Sequence, residues 1–240
     1  MKGYLYNRTA YCSLNITIPQ FFVELEDCFQ KEFTGGSFLT NPTFTLTENL
    51  CRRMADVEFY ASHIDEEQKR ANTYEATASI GTLLVGYFSA CKSLLDAGAI
   101  TLAKIYMPNK LSNKEMDFAK PFFWTQLNQA NATVCKRYLS FKGLSDNIID
   151  WRDAAVHRLT PLVLIHSSTP PNKTPREKIE IKMVAQPDAK VSSIIKAPKN
   201  IKWVEPLHFH KEWHSQLLSF CEEVCSDIRE QTFSIQPEPQ

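Results

Sequence analysis

Arg152 and His157 stand five positions apart in the run Asp150-Trp151-Arg152-Asp153-Ala154-Ala155-Val156-His157-Arg158. Asp153 and His157 are four residues apart, so on a helix they lie one turn above each other. A carboxylate so placed holds one imidazole nitrogen, fixes the tautomer and leaves the other nitrogen free. Arg152 points about a quarter turn away, and its long side chain reaches back toward the imidazole. Ala154 and Ala155 keep the stretch slim, so a partner helix or a substrate can approach closely. These parts suit phosphoryl chemistry without a metal. Internal cleavage of RNA needs a base to deprotonate the ribose 2′-OH and a cation to hold the charged phosphorane. Imidazole supplies the first, and guanidinium suits the second through its bidentate geometry toward phosphate. The same run also fits an ordinary solvated helix face, in which one i,i+4 pair adds about 0.2–0.5 kcal/mol.

Two other constellations are weaker. His210, His214, Cys221 and Cys225 are metal-ligand types. His210 and Cys221 are about 16 Å apart along a helix axis, so the four do not share one ion. Either pair needs ligands from elsewhere, and the sequence names none. The cysteines read as core packing and the histidines as satisfied buried side chains, so no metal ligand is assigned. Ser89-Ala-Cys-Lys92 fits S-x-x-K and Ser145-Asp146-Asn147 spells S-D-N, a combination similar to penicillin-recognising serine enzymes. The third element of that pattern fails, because Lys173-Thr174 is followed by Pro175 where Gly is needed. Serine acyl transfer through Ser89 and Lys92 therefore stands as a distant alternative. Walker, dinucleotide-binding and nucleophile-elbow motifs are absent from the sequence.

The elements that position Arg152 and His157 are helical. Leu50, Met54, Val57, Tyr60 and Ala61 have helical spacing and predict a helix over about 46–64. A longer helix is expected over about 71–107, with an apolar stripe from Ile80 to Ile100, ended by Pro108 and Asn109. Ser112 with Glu115 matches a capping box and predicts a helical region to about 142, interrupted near Pro121 and closed by Gly143. Ser145 or Asp146 then caps the helix that carries Arg152 and runs to Pro161. A final helix is expected over about 206–230. Between these last two, Leu162–Ile165, Ile179–Met183 and Val191–Ile195 read as strands of a β-hairpin or small sheet inserted at 162–204. Residues 1–45 form an N-terminal decoration, with a hairpin over 1–18 and a short helix over 20–33, and the tail SIQPEPQ is expected to be disordered. The fold class is thus mainly α: one domain over 1–240, an antiparallel four-helix bundle with a small β insertion.

On such a bundle, Arg152 followed by the polar Asp153 and then His157 resembles the R-x4-6-H signature of the HEPN superfamily. The resemblance covers about 46–160 plus the last helix, and the β insertion departs from simple members of the family. It implies a homodimer with two motifs facing across the interface, acting as a metal-independent endoribonuclease with no cofactor. It also implies a toxin, antiphage-defence or RNA-processing setting, with an antitoxin as a neutralising partner. In these terms His157 is the general base, Arg152 the phosphate clamp and Asp153 the orienter of His157. Because many members are inactive, the alternative is a non-catalytic module that binds a nucleotide or protein through the same surface.

Formal net charge is zero, so no global field draws the chain to nucleic acid. Locally, residues 173–202 hold eight basic and three acidic side chains, whereas residues 21–75 hold eleven acidic and five basic. Arg158, Lys178, Lys182, Lys190, Lys196, Lys199 and Lys202 are therefore the expected contacts to an RNA backbone. Seven scattered cysteines read as reduced side chains used as small hydrophobes, which predicts a cytoplasmic protein. The apolar stretch Leu83–Ala103 carries Lys92 and Asp96 in its middle, which predicts a buried bundle helix and no membrane span.

Overall fold

A computed structural model of the chain describes residues 18–33, 41–70, 74–157, 161, 163–167, 179–184 and 202–233. They are mainly helical, with a small antiparallel sheet. The helices are α1 (Gln20–Glu32), α2 (Pro42–Lys69), α3 (Tyr74–Tyr106), α4 (Pro121–Ala130), α5 (Ala132–Tyr138), α6 (Lys142–His157) and α7 (His208–Phe233), with a 3-10 turn over Leu139–Phe141 between α5 and α6. Strands β1 (Val163–Ser167), β2 (Ile179–Val184) and β3 (Trp203–Val204) form one sheet in the order β1-β2-β3. The N-terminal hairpin expected over 1–18, the strand expected over 191–195 and the tail lie essentially outside the described residues.

Local chemistry sets the boundaries. α2 starts four residues before the boundary expected near 46, because the Asn41 side chain accepts the Thr43 N–H at 2.8 Å and Pro42 fills the first helical position. α3 ends ahead of Met107 and Pro108, and Asn109 takes a left-handed φ of 64° in the turn. Only half of the capping box expected at Ser112 forms: the Glu115 carboxylate accepts the Ser112 N–H at 2.8 Å, but the Ser112 hydroxyl donates to that carboxylate at 2.7 Å, and the Glu115 N–H goes to the Ser112 carbonyl at 2.9 Å. It does not start a helix, however. Turns follow to residue 120, and α4 begins only at Pro121, whose missing N–H belongs at a helix start. A second break falls at Asn131, which ends α4 and caps α5 by accepting the Val134 N–H at 3.1 Å. Gly143 is not a terminator and neither Ser145 nor Asp146 is a cap: α6 already starts at Lys142, whose ammonium pairs with Asp146 at 2.7 Å.

The inserted sheet keeps the expected hairpin. β1 and β2 pair antiparallel from Val163↔Met183 to Ser167↔Ile179, with Ile181 and Met183 buried. Sequence spacing gave no sign of β3, which adds Met183↔Val204 on the far edge of β2.

The chain divides into two compact units. One comprises residues 1–56, 90–146 and 215–240. In its core the Phe220 ring meets Phe118, Phe141 and Tyr138 edge-on, with centroids 5.3, 5.4 and 6.0 Å away. Gly98 makes room for it, since a Cβ there would stand 2.2 Å from the ring. Asp227, fully buried, accepts the Tyr138 hydroxyl at 2.8 Å and the Arg137 guanidinium. Burial and this neighbouring carboxylate push the Tyr138 phenol well above its ordinary range. Within α3, Lys92 donates to both oxygens of Asp96 at 2.6 Å and to Asp117 at 3.0 Å. Among the described residues one helix, Glu75–Tyr106, is long and apolar enough to cross a membrane, and half of its most apolar window is buried inside the protein. That burial and the neutralised Lys92 fit a core helix.

The other unit comprises residues 57–89 and 147–214. Its core is an aromatic block. Phe88 stacks on Trp151 at 5.1 Å, Trp151 packs on Phe209 at 4.5 Å, and Trp213 closes on Phe209 at 4.9 Å. Gly86 lets α3 approach Tyr60 of α2, whose ring would lie 2.2 Å from an added Cβ.

Asp227→Ala leaves the buried Tyr138 hydroxyl and the Arg137 guanidinium without their acceptor. It is expected to lower unfolding free energy by about 3 kcal/mol. Urea denaturation checks this, and a loss below about 1 kcal/mol contradicts the role assigned to this carboxylate.

Candidate functional site

Helix α6 presents Arg152 as the sequence predicts. Ile148, Trp151, Ala154 and Ala155 face inward and are buried, while Val156 is exposed. The Arg152 and Asp153 side chains lie between these faces, 35% and 42% accessible. Sequence spacing did not anticipate the bond between them. Asp153 accepts Arg152 Nη1 at 2.8 Å, a bond between neighbouring residues, so one carboxylate oxygen is committed to the guanidinium. Sequence spacing had suggested His157 as its partner. Position 157 is the last residue of α6. The His157 side chain, together with Arg158, Lys178, Lys190, Lys196 and Lys199, lies outside the described residues. Of the remaining expected backbone contacts, Lys182 is half-buried on β2, opposite Leu164, and Lys202 is exposed just ahead of β3.

A second polar cluster lies in the same unit. His210 and His214 are one turn apart on α7, with ring centroids at 4.7 Å. His214 Nε2 lies 2.6 Å from Glu58 Oε1 on α2. The Tyr87 hydroxyl of α3 lies 3.5 Å from His210 Nδ1, at the outer limit of a hydrogen bond. One nitrogen from each imidazole and one Glu58 oxygen lie within 4.8 Å of one another. Phe209 and Trp213, both buried, wall the same turns of α7. The hydrogen bond to Glu58 raises the His214 imidazole above its usual range, against the effect of burial. Burial lowers His210. The sequence flagged the two histidines but not Glu58 or Tyr87. Their only signal was helical placement, and which helices meet is not written in local spacing.

The cysteines, Ser89 and Lys92 are held by the fold. Cys221 and Cys225 are buried, and burial pushes both thiols up, so they stay protonated as core side chains. All six cysteines among the described residues are free thiols. Ser89 donates its hydroxyl to the Val85 carbonyl at 2.8 Å, and Lys92 is held by Asp96 and Asp117. Neither is placed as nucleophile or base, which removes the geometric ground for serine acyl transfer. Comparison with family models, curated proteins and solved structures finds no match to this chain.

Two outcomes follow from this geometry. The Arg152–Asp153 pair is only partly buried, so Asp153→Ala should change stability by less than about 1 kcal/mol; a larger loss in urea denaturation would assign the pair a structural role. In metal-free Glu58→Gln, the His214 imidazole loses its charged acceptor while its burial stays. Its pKa, followed by NMR titration, should fall below the parent's, and an unchanged value contradicts the assigned bond. In the parent the His214 contribution to stability is present below about pH 6.5 and is lost as pH rises through the raised value.

Proposed function

We propose that the chain is a HEPN-like protein, built on an antiparallel four-helix bundle with a β insertion, that cleaves RNA without a metal. The observation that carries the reading is α6: its apolar face is buried, and its polar face holds Arg152 within reach of solvent with His157 closing the same helix. In the proposed reaction His157 takes the proton of a ribose 2′-OH and the 2′-oxygen attacks the adjacent phosphorus. The 5′-oxygen then leaves and takes up a proton, returned by the His157 imidazolium through solvent, giving a 2′,3′-cyclic phosphate and a 5′-hydroxyl end. Arg152 clamps the phosphate oxygens as negative charge builds. Asp153 holds the guanidinium with one oxygen, and the other is assigned to His157. Lys182, Lys202 and the other basic residues of 173–202 would follow the RNA backbone. A homodimer that brings two motifs together, an antitoxin as neutralising partner and a cytoplasmic setting belong to the same proposal.

One observation favours a second reading. The Arg152–Asp153 pair leaves less net positive charge to meet the extra negative charge of a phosphorane, which cleavage builds up and ground-state binding does not. That suits a non-catalytic module that binds a nucleotide or a protein through this surface.

Incubation of the purified full chain with RNA in EDTA decides between them. Cleavage to cyclic-phosphate ends, reduced by about 10²–10⁴-fold in both Arg152→Ala and His157→Ala, is the expected result. Intact RNA alongside a measurable nucleotide complex supports the binding module and contradicts catalysis.

A further inference from the structure

We propose that Glu58, His210 and His214 form a binding site for one divalent transition-metal ion of the zinc type, with a coordination position left open to water or an anionic oxygen. Two imidazoles and one carboxylate are a donor set that holds Zn²⁺ while leaving a fourth position free. His210 and His214 sit four residues apart, which puts both rings on one face of α7. Glu58 comes from α2, so the site is assembled from two helices of the same unit.

The distances suit an ion. At bond lengths of about 2.0–2.2 Å, tetrahedral donors stand about 3.4 Å apart. The donor atoms here already lie within 4.8 Å of one another, so side-chain rotations of about an ångström close the site. The 2.6 Å contact between His214 and Glu58 joins the two donors that a cation would bridge. In the metal-free protein a proton takes that place, and an ion replaces it. Tyr87 supplies the outer support that metal-bound imidazoles require: its hydroxyl can receive Nδ1–H of His210, which directs Nε2 toward the ion. The buried Trp213 ring stacks on Tyr87 at 6.4 Å, which ties the side chain that meets His210 to the core. The start of a helix disfavours a cation, and the Glu58 carboxylate supplies the opposing charge. The site is separate from the proposed RNA chemistry, which uses no metal, so either stands if the other fails.

The test uses the full chain stripped with EDTA and dialysed free of chelator. Zn²⁺ is titrated in competition with a chromophoric chelator, and Co²⁺ is followed by its visible absorption. One equivalent is expected to bind the parent protein. Glu58→Gln, His210→Ala and His214→Ala should each weaken Zn²⁺ by well over tenfold, and Tyr87→Phe by about tenfold. His208→Ala, on the same helix but outside the donor set, should bind like the parent. Absence of binding in the parent overturns the proposal, as does affinity unchanged in any of the three donor variants. Should a variant not fold, NMR of the parent decides. Zn²⁺ must shift the His210 and His214 imidazole signals and leave His63 and His208 in place; the reverse pattern overturns the site.

Discussion

Trp151 against Phe209, at 4.5 Å between ring centroids, is the contact on which both sites depend. The two residues immediately precede Arg152 and His210 in the chain, so one aromatic contact sets how α6 and α7 present their polar side chains. Phe88 and Trp213 complete the block, and all four residues are buried. Aromatic rings of this size dominate core energetics, and their geometry is specific. A polar face is useful only if the apolar face behind it is fixed, and this block does the fixing for α6 and for the first turns of α7.

Charge is handled differently in the two units. In the unit of Phe220 the buried Asp227 is surrounded by a phenol and a guanidinium, an arrangement that satisfies the carboxylate and leaves it nothing further to bind. In the unit of Trp151 the polar groups stay partly accessible. Arg152 leans on Asp153 at the surface, and Glu58 holds His214 with a single hydrogen bond. Groups that are partly exposed and lightly held give up a partner to a ligand at modest cost, whereas fully enclosed ones do not.

Much of the helical fold was legible from spacing, since the apolar stripes of α2, α3 and α7 persist over several turns. The inserted hairpin was legible from the alternation Ile179, Ile181, Met183. What failed was punctuation. The Ser112–Glu115 box has the right side chains but forms only one of its two defining hydrogen bonds, and Pro121 takes the helix start because its ring suits the first position and no later one. Gly143 looked like a stop but lies in the first turn of α6, where no positive φ is needed. β3 is two residues long, too short for alternation to show. At the candidate site, Arg152 and its helix were readable, but its pairing was not. Asp153 could be matched to His157 by the four-residue rule, while a contact to its immediate neighbour depends on rotamers. Glu58 and Tyr87 were invisible because they reach the histidines across 156 and 123 positions of sequence.

The central claim is that Arg152 and His157 meet at one phosphate. NMR of the full chain labelled at arginine and histidine side chains, titrated with a 2′-O-methyl RNA oligonucleotide that resists cleavage, addresses it directly. The Arg152 Nε–H and His157 ring signals are expected to shift together along one saturation curve. Movement of only one of them, or of neither while RNA binds elsewhere, would contradict it.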